Sequence, residues 1–124
     1  FSMHGKANYP FQKEESDLDI SLEDNTTDDE YLDLLETHLT HLLATIKPDF
    51  VFYLSGVDVL KEDKLGRLAL SLEGTKKRDK LVLSSCFEQQ IPVQCSMGGG
   101  YAPDVNLIVE AHANTYRIAT ELYD

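Results

Sequence analysis

An unbroken apolar run, Phe50-Val51-Phe52-Tyr53-Leu54, restricts what this chain can fold into more than any other stretch. Aromatic and aliphatic residues in a row leave neither face of a strand polar, the pattern of a strand covered on both sides in the middle of a parallel sheet. The run closes on Ser55-Gly56-Val57 and then on a carboxylate, Asp58. Open α/β sheets bind ligands outside the carboxyl ends of their strands, so the first acid past the end is a candidate for chemistry. Asp is equally a residue of turns and N-caps, and position alone leaves both readings standing.

The flanks of the run predict alternating elements. Thr27-Asp28-Asp29-Glu30 has the form of a capping box with acids favoured by the helix dipole, so a helix starts there. Leu32, Leu35, Leu39, Leu42 and Ile46 continue it as one apolar stripe until Pro48. His38 and His41 stand beside that stripe, either as half of a metal site or, with no third ligand in view, as solvent-facing residues. Past Asp58, Ser71 caps a second helix reaching about Gln90, with Leu81, Val82, Cys86 and Phe87 towards the sheet and Lys76-Lys77-Arg78 on its solvated side.

Ile91 to Ser96 reads as a further strand with Pro92 at its start, where the missing N–H does least harm. A last helix spans about Asp104 to Leu122, with Pro103 suited to its first turn. Val105, Ile108, Val109, His112, Ile118, Ala119 and Leu122 make its expected buried side. Upstream, residues 5–18 read as a loop, and Asp17 to Leu22 alternates like a short strand with one wet face. Strand and helix in alternation is the pattern of crossovers in a mainly parallel sheet, the α/β class.

Composition narrows the function. At 124 residues, 42% hydrophobic and 27% charged, the chain has the make-up of one ordinary globular domain. Its formal charge of −11 argues against a broad phosphate-binding surface, and hence against a direct nucleic-acid partner. The sign suits a cationic substrate such as a lysine-rich tail or a polyamine, and equally suits solubility alone. No long apolar span is present for a membrane and no signal peptide precedes the first strand, so a cytoplasmic location is expected. Cys86 and Cys95, in apolar surroundings, read as buried free thiols. Phe1-Ser2-Met3-His4 reads as the end of a strand with nothing before it, which predicts a fragment. Gly98-Gly99-Gly100 stands between a strand and a helix, where the backbone must turn tightly or let something approach. A phosphate cradle there would need a following Lys-Ser/Thr, which is missing.

Three blocks carry a resemblance. Tyr53-Leu54-Ser55-Gly56-Val57-Asp58, then Asp63-Lys64-Leu65-Gly66-Arg67, then Gly98-Gly99-Gly100-Tyr101 resemble, in order and spacing, the C-terminal half of the zinc-dependent histone deacetylase family. The likeness is greatest to its bacterial and class IV-like members. Ser2-Met3-His4 and Asn8-Tyr9-Pro10 also resemble the segment where that family's substrate-tunnel loop follows a strand. The resemblance implies a three-layer α/β/α arginase–deacetylase fold, with residues 1–124 forming the C-terminal portion of a single catalytic domain. It implies a hydrolase that removes acetyl or other acyl groups from lysine or polyamine amines, using zinc, or iron in its place, held by two Asp and one His.

By the same likeness, Asp58 corresponds to one aspartate ligand, and Tyr101 to the tyrosine that polarises the substrate carbonyl and stabilises the oxyanion. Gly98, Gly99 and Gly100 would let substrate pass beside the metal, and Tyr9 would wall the channel of the acyl-lysine stem. Ser2 and Met3 correspond to positions that help bind a structural monovalent cation, potassium. The family's other two ligands, in an Asp-x-His, and its His-His bases have no counterpart in these 124 residues. The chain is therefore expected to be inactive by itself. The alternative is a non-catalytic α/β module that keeps the sheet for binding or assembly. A nucleotide-binding domain lacks the Lys and the acidic partner it would need. A truncated sheet exposes an apolar edge, so self-association is expected.

Overall fold

Seven elements follow one another along residues 1–124, the residues described by a computed structural model. They are β1 (Ser2–Gly5), β2 (Asp19–Leu22), α1 (Asp28–Ile46), β3 (Val51–Gly56), α2 (Leu72–Glu88), β4 (Val93–Gly98) and α3 (Val105–Tyr123). The strands form two parallel ribbons, β1 with β2 and β3 with β4. In the second ribbon Val51 lies opposite Val93 and Gly56 opposite Gly98, so both strands end at the same level. The helices share one layer, with α2 packed against α1 on one side and α3 on the other. No helix is long and apolar enough to cross a membrane.

The main core lies under α1 and α2. Tyr31, Leu35, Leu39 and Leu43 of α1 meet Val82 and Cys86 of α2, with Leu22, Leu68, Leu70 and Ile91 closing the cluster. The buried face of α1 is thus rotated from the expected stripe of Leu32, Leu35, Leu39, Leu42 and Ile46, and Ile46 is exposed. An i, i+4 series of Tyr31, Leu35, Leu39 and Leu43 competes with the Leu-only series, and it is this one that is buried. The capping box also fails to form. Thr27 is the N-cap residue but accepts no side-chain bond, while the Asp28 carboxylate turns to α2, accepting from the Ser71 N–H at 2.8 Å and the Ser71 hydroxyl at 2.6 Å. The positive N-terminal end of α2 is a better place for that charge than the start of its own helix. Ser71 itself caps α2, as its sequence context predicts, by accepting from Gly74 N–H at 2.9 Å.

Three further expectations change. Arg78, assigned with Lys76 and Lys77 to a solvated face, is 4% exposed, while the two lysines do face solvent. On α3 the buried residues are Ala111, Asn114, Thr115 and Ile118, and Val105 and Val109 are exposed. Small and polar side chains win there because α3 packs closely on α2 and Thr115 has a buried hydrogen-bond partner, described below. Pro103 precedes the N-cap, Asp104, rather than occupying the first turn. The Cys residues are free thiols, Cys86 buried and Cys95 half-buried, and burial pushes both thiol pKa values up.

The apolar run is covered on one face only. Tyr53 and Ser55 point into the helical layer, whereas Phe52 is 81% and Leu54 68% exposed. A contiguous exposed apolar strip marks a surface that meets another partner or copy. The 124-residue chain is accordingly expected to self-associate in sedimentation velocity, and Phe52→Glu with Leu54→Glu to return it to monomer. A wild-type chain that stays monomeric at the highest attainable concentration would contradict this.

Candidate active site

The ends of β3 and β4 hold most of the residues that the resemblance singles out. Past the last strand pair, the Val57 N–H still donates to the Gly98 carbonyl at 2.9 Å, which holds the two exits side by side. Val57 is wholly buried with Leu60 and Ala111 in a small second core, a firm floor under the next residue. That residue is Asp58. Its carboxyl is partly covered, and burial, reinforced by the nearby Asp63 charge, raises its pKa above the usual carboxylate range against the pull of its own backbone hydrogen bond and Arg78.

Two glycines make room around it. Gly99 has φ +66°, and a Cβ on it would come within 2.8 Å of the Asp58 Cβ and Cγ, so only a residue without a side chain can lie there. Gly66 returns beneath the Asp58 main chain, where a Cβ would stand 1.8 Å from its carbonyl oxygen. Gly100 follows between Ile108 and Val57, and Tyr101 then leaves the loop exposed.

Between these two loops stands Asp63. Its Oδ1 accepts from the N–H groups of Leu65 at 2.8 Å and Gly66 at 2.7 Å, closing the turn that carries Gly66 under Asp58. Its Oδ2 accepts from the Tyr101 N–H at 2.7 Å, across 38 residues of sequence.

A buried polar network supports β3 from below. Asp79, with no exposed surface, accepts from the Tyr53 hydroxyl at 2.5 Å and from the Thr115 hydroxyl at 2.6 Å. Arg78 donates through Nε to the same carboxylate at 2.9 Å, and its Nη2 lies 2.8 Å from Oδ1, an ion-pair distance without hydrogen-bond alignment. Its Nη1 donates to the Gly56 carbonyl at 2.5 Å, two residues before Asp58. Burial works against the guanidinium's charge, but Tyr53 and Asp79 around it prevail and its pKa stands above the ordinary value.

The other candidates lie elsewhere. Tyr9 is 85% exposed on the loop after β1, its ring edge-on to Phe11 at 6.2 Å. Ser2 and Met3 line a cavity of about 410 Å³ that also touches α1 and β3, and the Ser2 hydroxyl is 2.9 Å from His4 Nδ1. His38 packs near Phe1 and His41 faces solvent. No three His, Cys, Asp or Glu side chains of this chain are placed to hold a metal ion. A catalytic zinc takes three protein ligands. By themselves, therefore, these side chains do not make up a three-ligand zinc site.

Two groups were missed in the sequence. Arg78 falls on the series Thr75, Arg78, Val82, Cys86 and Asp79 on Thr75, Asp79, Leu83, both at the helical spacing of the buried face, but a charged residue on such a stripe reads as solvated until its partner is known. Asp63 carried the local signal of an acid three residues before a glycine, an Asx-type turn. Its bond to Tyr101 left no local trace.

Comparison with known proteins settles the family. Residues 1–116 match the histone deacetylase domain. The chain belongs to the histone deacetylase family. An uncharacterized protein of Picosynechococcus sp. is 46% identical over 123 residues, covering 99% of this chain and 41% of that protein. Histone deacetylase 2 of Arabidopsis thaliana is 33% identical over 102 residues, covering 80% of this chain and 26% of the relative. Among solved structures, an acetylpolyamine aminohydrolase from Burkholderia pseudomallei superposes with a TM-score of 0.73 at 18% identity, over 93% of this chain and 35% of that one. An HDAC homolog complexed with SAHA gives 0.72 at 24% identity, over 95% and 33%. These likenesses show the fold, the α/β arginase–deacetylase architecture. The chain spans less than half the length of the curated relatives it matches.

Proposed function

We propose that the protein containing these residues is a metal-dependent deacylase that cleaves an acetyl or other acyl group from a lysine or polyamine amine. Asp58 serves as one of its metal ligands and Tyr101 as the donor to the oxyanion. The observation that supports this most is the joining of the Asp58 loop to the Tyr101 loop at adjacent strand ends, through the Asp63–Tyr101 bond of 2.7 Å. The chemistry a bound zinc ion supplies in such a site is Lewis acidity and a water whose pKa falls to about 7.

Each residue of this chain then has a physical task. A carboxylate partly kept from water, as burial keeps Asp58, is stabilised by a cation beside it. Gly99, with no side chain, leaves the space next to that carboxylate free for metal and substrate. Tyr101, attached to a fixed backbone and with its ring free, can place a phenol O–H against the acyl oxygen as charge builds on it. The exposed Tyr9 offers an aromatic wall for an aliphatic amine stem, and Ser2 with Met3 would help hold a potassium ion. The net charge of −11 favours an amine that becomes cationic on release.

Residues 1–124, without further ligands, are expected to be inactive. The decisive assay uses the full-length protein with an acetyl-lysine peptide and an acetylpolyamine, with and without chelator. Turnover should vanish with chelator and return with zinc. Turnover indifferent to chelator would sink the metal reading, and inertness towards every acylated amine would favour a binding or assembly module.

A further inference from the structure

We propose that Asp63 is a positioning residue for Tyr101, setting the phenol relative to Asp58 without touching substrate; this rests on the oxyanion role assigned to Tyr101 above. Three backbone N–H groups converge on one carboxylate, two from the loop that underpins Asp58 and one from Tyr101 itself. Gly66, held by one of these bonds, lies in contact with the Asp58 carbonyl. A displacement of either loop is thereby transmitted to the other through a single side chain.

The neighbouring backbone contact is not a substitute. Val57 N–H bonds to the Gly98 carbonyl at 2.9 Å, but between Gly98 and Tyr101 come Gly99 at φ +66° and Gly100 at φ +113°. Glycines carry the largest conformational freedom of any residue, so two in succession make a joint. The side chain of Tyr101, being 58% exposed, has little packing to fix it. What locks the joint is the bond from its N–H to Asp63. An acceptor with both oxygens committed to backbone N–H groups is also ill suited to proton transfer, which separates Asp63 from the acid–base chemistry.

The test uses full-length, metal-loaded protein carrying Asp63→Asn, alone and combined with Tyr101→Phe. The amide keeps one oxygen for the Leu65 and Gly66 N–H groups but cannot accept from Tyr101 as well. Asp63→Asn is expected to lower kcat about 10- to 100-fold with KM little changed, since a misplaced catalytic group costs on that scale and Tyr101 acts only in the transition state. In the Tyr101→Phe background the same substitution should have almost no further effect, whereas a merely structural residue would give additive losses. Additive losses overturn the inference alone. A wild-type rate in Tyr101→Phe removes the oxyanion reading and the inference with it. Bound metal is measured in parallel, and a loss of metal matching the loss of rate would also overturn it, because Asp63 would then act through Asp58. Should the amide variant fail to fold, Asp63→Ser, whose hydroxyl can close the turn without reaching Tyr101, is put through the same cycle.

Discussion

Tyr101→Phe in the full-length protein is expected to lower kcat about 100- to 1000-fold, the usual consequence of losing one oxyanion donor, with bound metal and melting temperature unchanged. Tyr101 is 58% exposed and contributes to neither core cluster, so removing its oxygen takes nothing from the fold. Its backbone bond to Asp63 survives the change, because that bond uses the main-chain N–H. The substrate's ground-state carbonyl gains far less from a phenol than the oxyanion does, so KM should move little while kcat collapses. Steady-state kinetics with acetyl-lysine peptide, together with metal analysis, decide the matter. Unchanged turnover would remove Tyr101 from the mechanism.

The largest effect on stability is expected from Arg78→Met. The substitution keeps volume and removes the charge that balances Asp79, a carboxylate with no exposed surface. The Tyr53 and Thr115 hydroxyls still donate to it, yet two neutral donors do not replace a guanidinium. Breaking one partner out of a buried ion pair costs about 3–5 kcal/mol. Against a typical domain stability of about 5–15 kcal/mol, that is enough to leave this chain close to unfolding. Arg78→Met combined with Asp79→Asn should recover part of the loss, because no uncompensated charge stays inside and the amide oxygen still accepts. Urea denaturation of the three chains at neutral pH measures it. A single substitution costing under about 1 kcal/mol, or a double costing more than the single, would show that the pair does not carry charge balance in the core.

The same substitution bears on the site through one bond. Arg78 Nη1 holds the Gly56 carbonyl, the last strand residue before the turn to Asp58. Stability of α2 and placement of the β3 exit are thus coupled in one side chain.

Local pattern carried much of this molecule. The strand through Val51–Gly56, the cap at Ser71, the helices and the parallel pairing of β3 with β4 all follow from runs, periods and breakers a few residues long. So does the location of Asp58 and of Gly98–Tyr101 at adjoining strand ends, since alternating strands and helices put successive strand exits on one edge. Helix faces were legible only to within about one residue's rotation, as the shift from Leu32 to Tyr31 on α1 shows. A period defines a stripe, but which edge of the stripe goes under is decided by what packs against it.

Tertiary structure alone decided the rest, and the residues concerned share one property. Arg78 is buried because Asp79, Gly56 and Tyr53 surround it, Thr115 replaces an aliphatic residue because Asp79 waits for its hydroxyl, and Asp63 reaches a backbone N–H 38 positions away. A charged or polar side chain read by itself is assigned to water, since burial without a partner costs several kcal/mol. Only the folded arrangement supplies the partners that reverse that sign, whereas apolar residues need no particular partner to be driven inward and are therefore visible in the sequence.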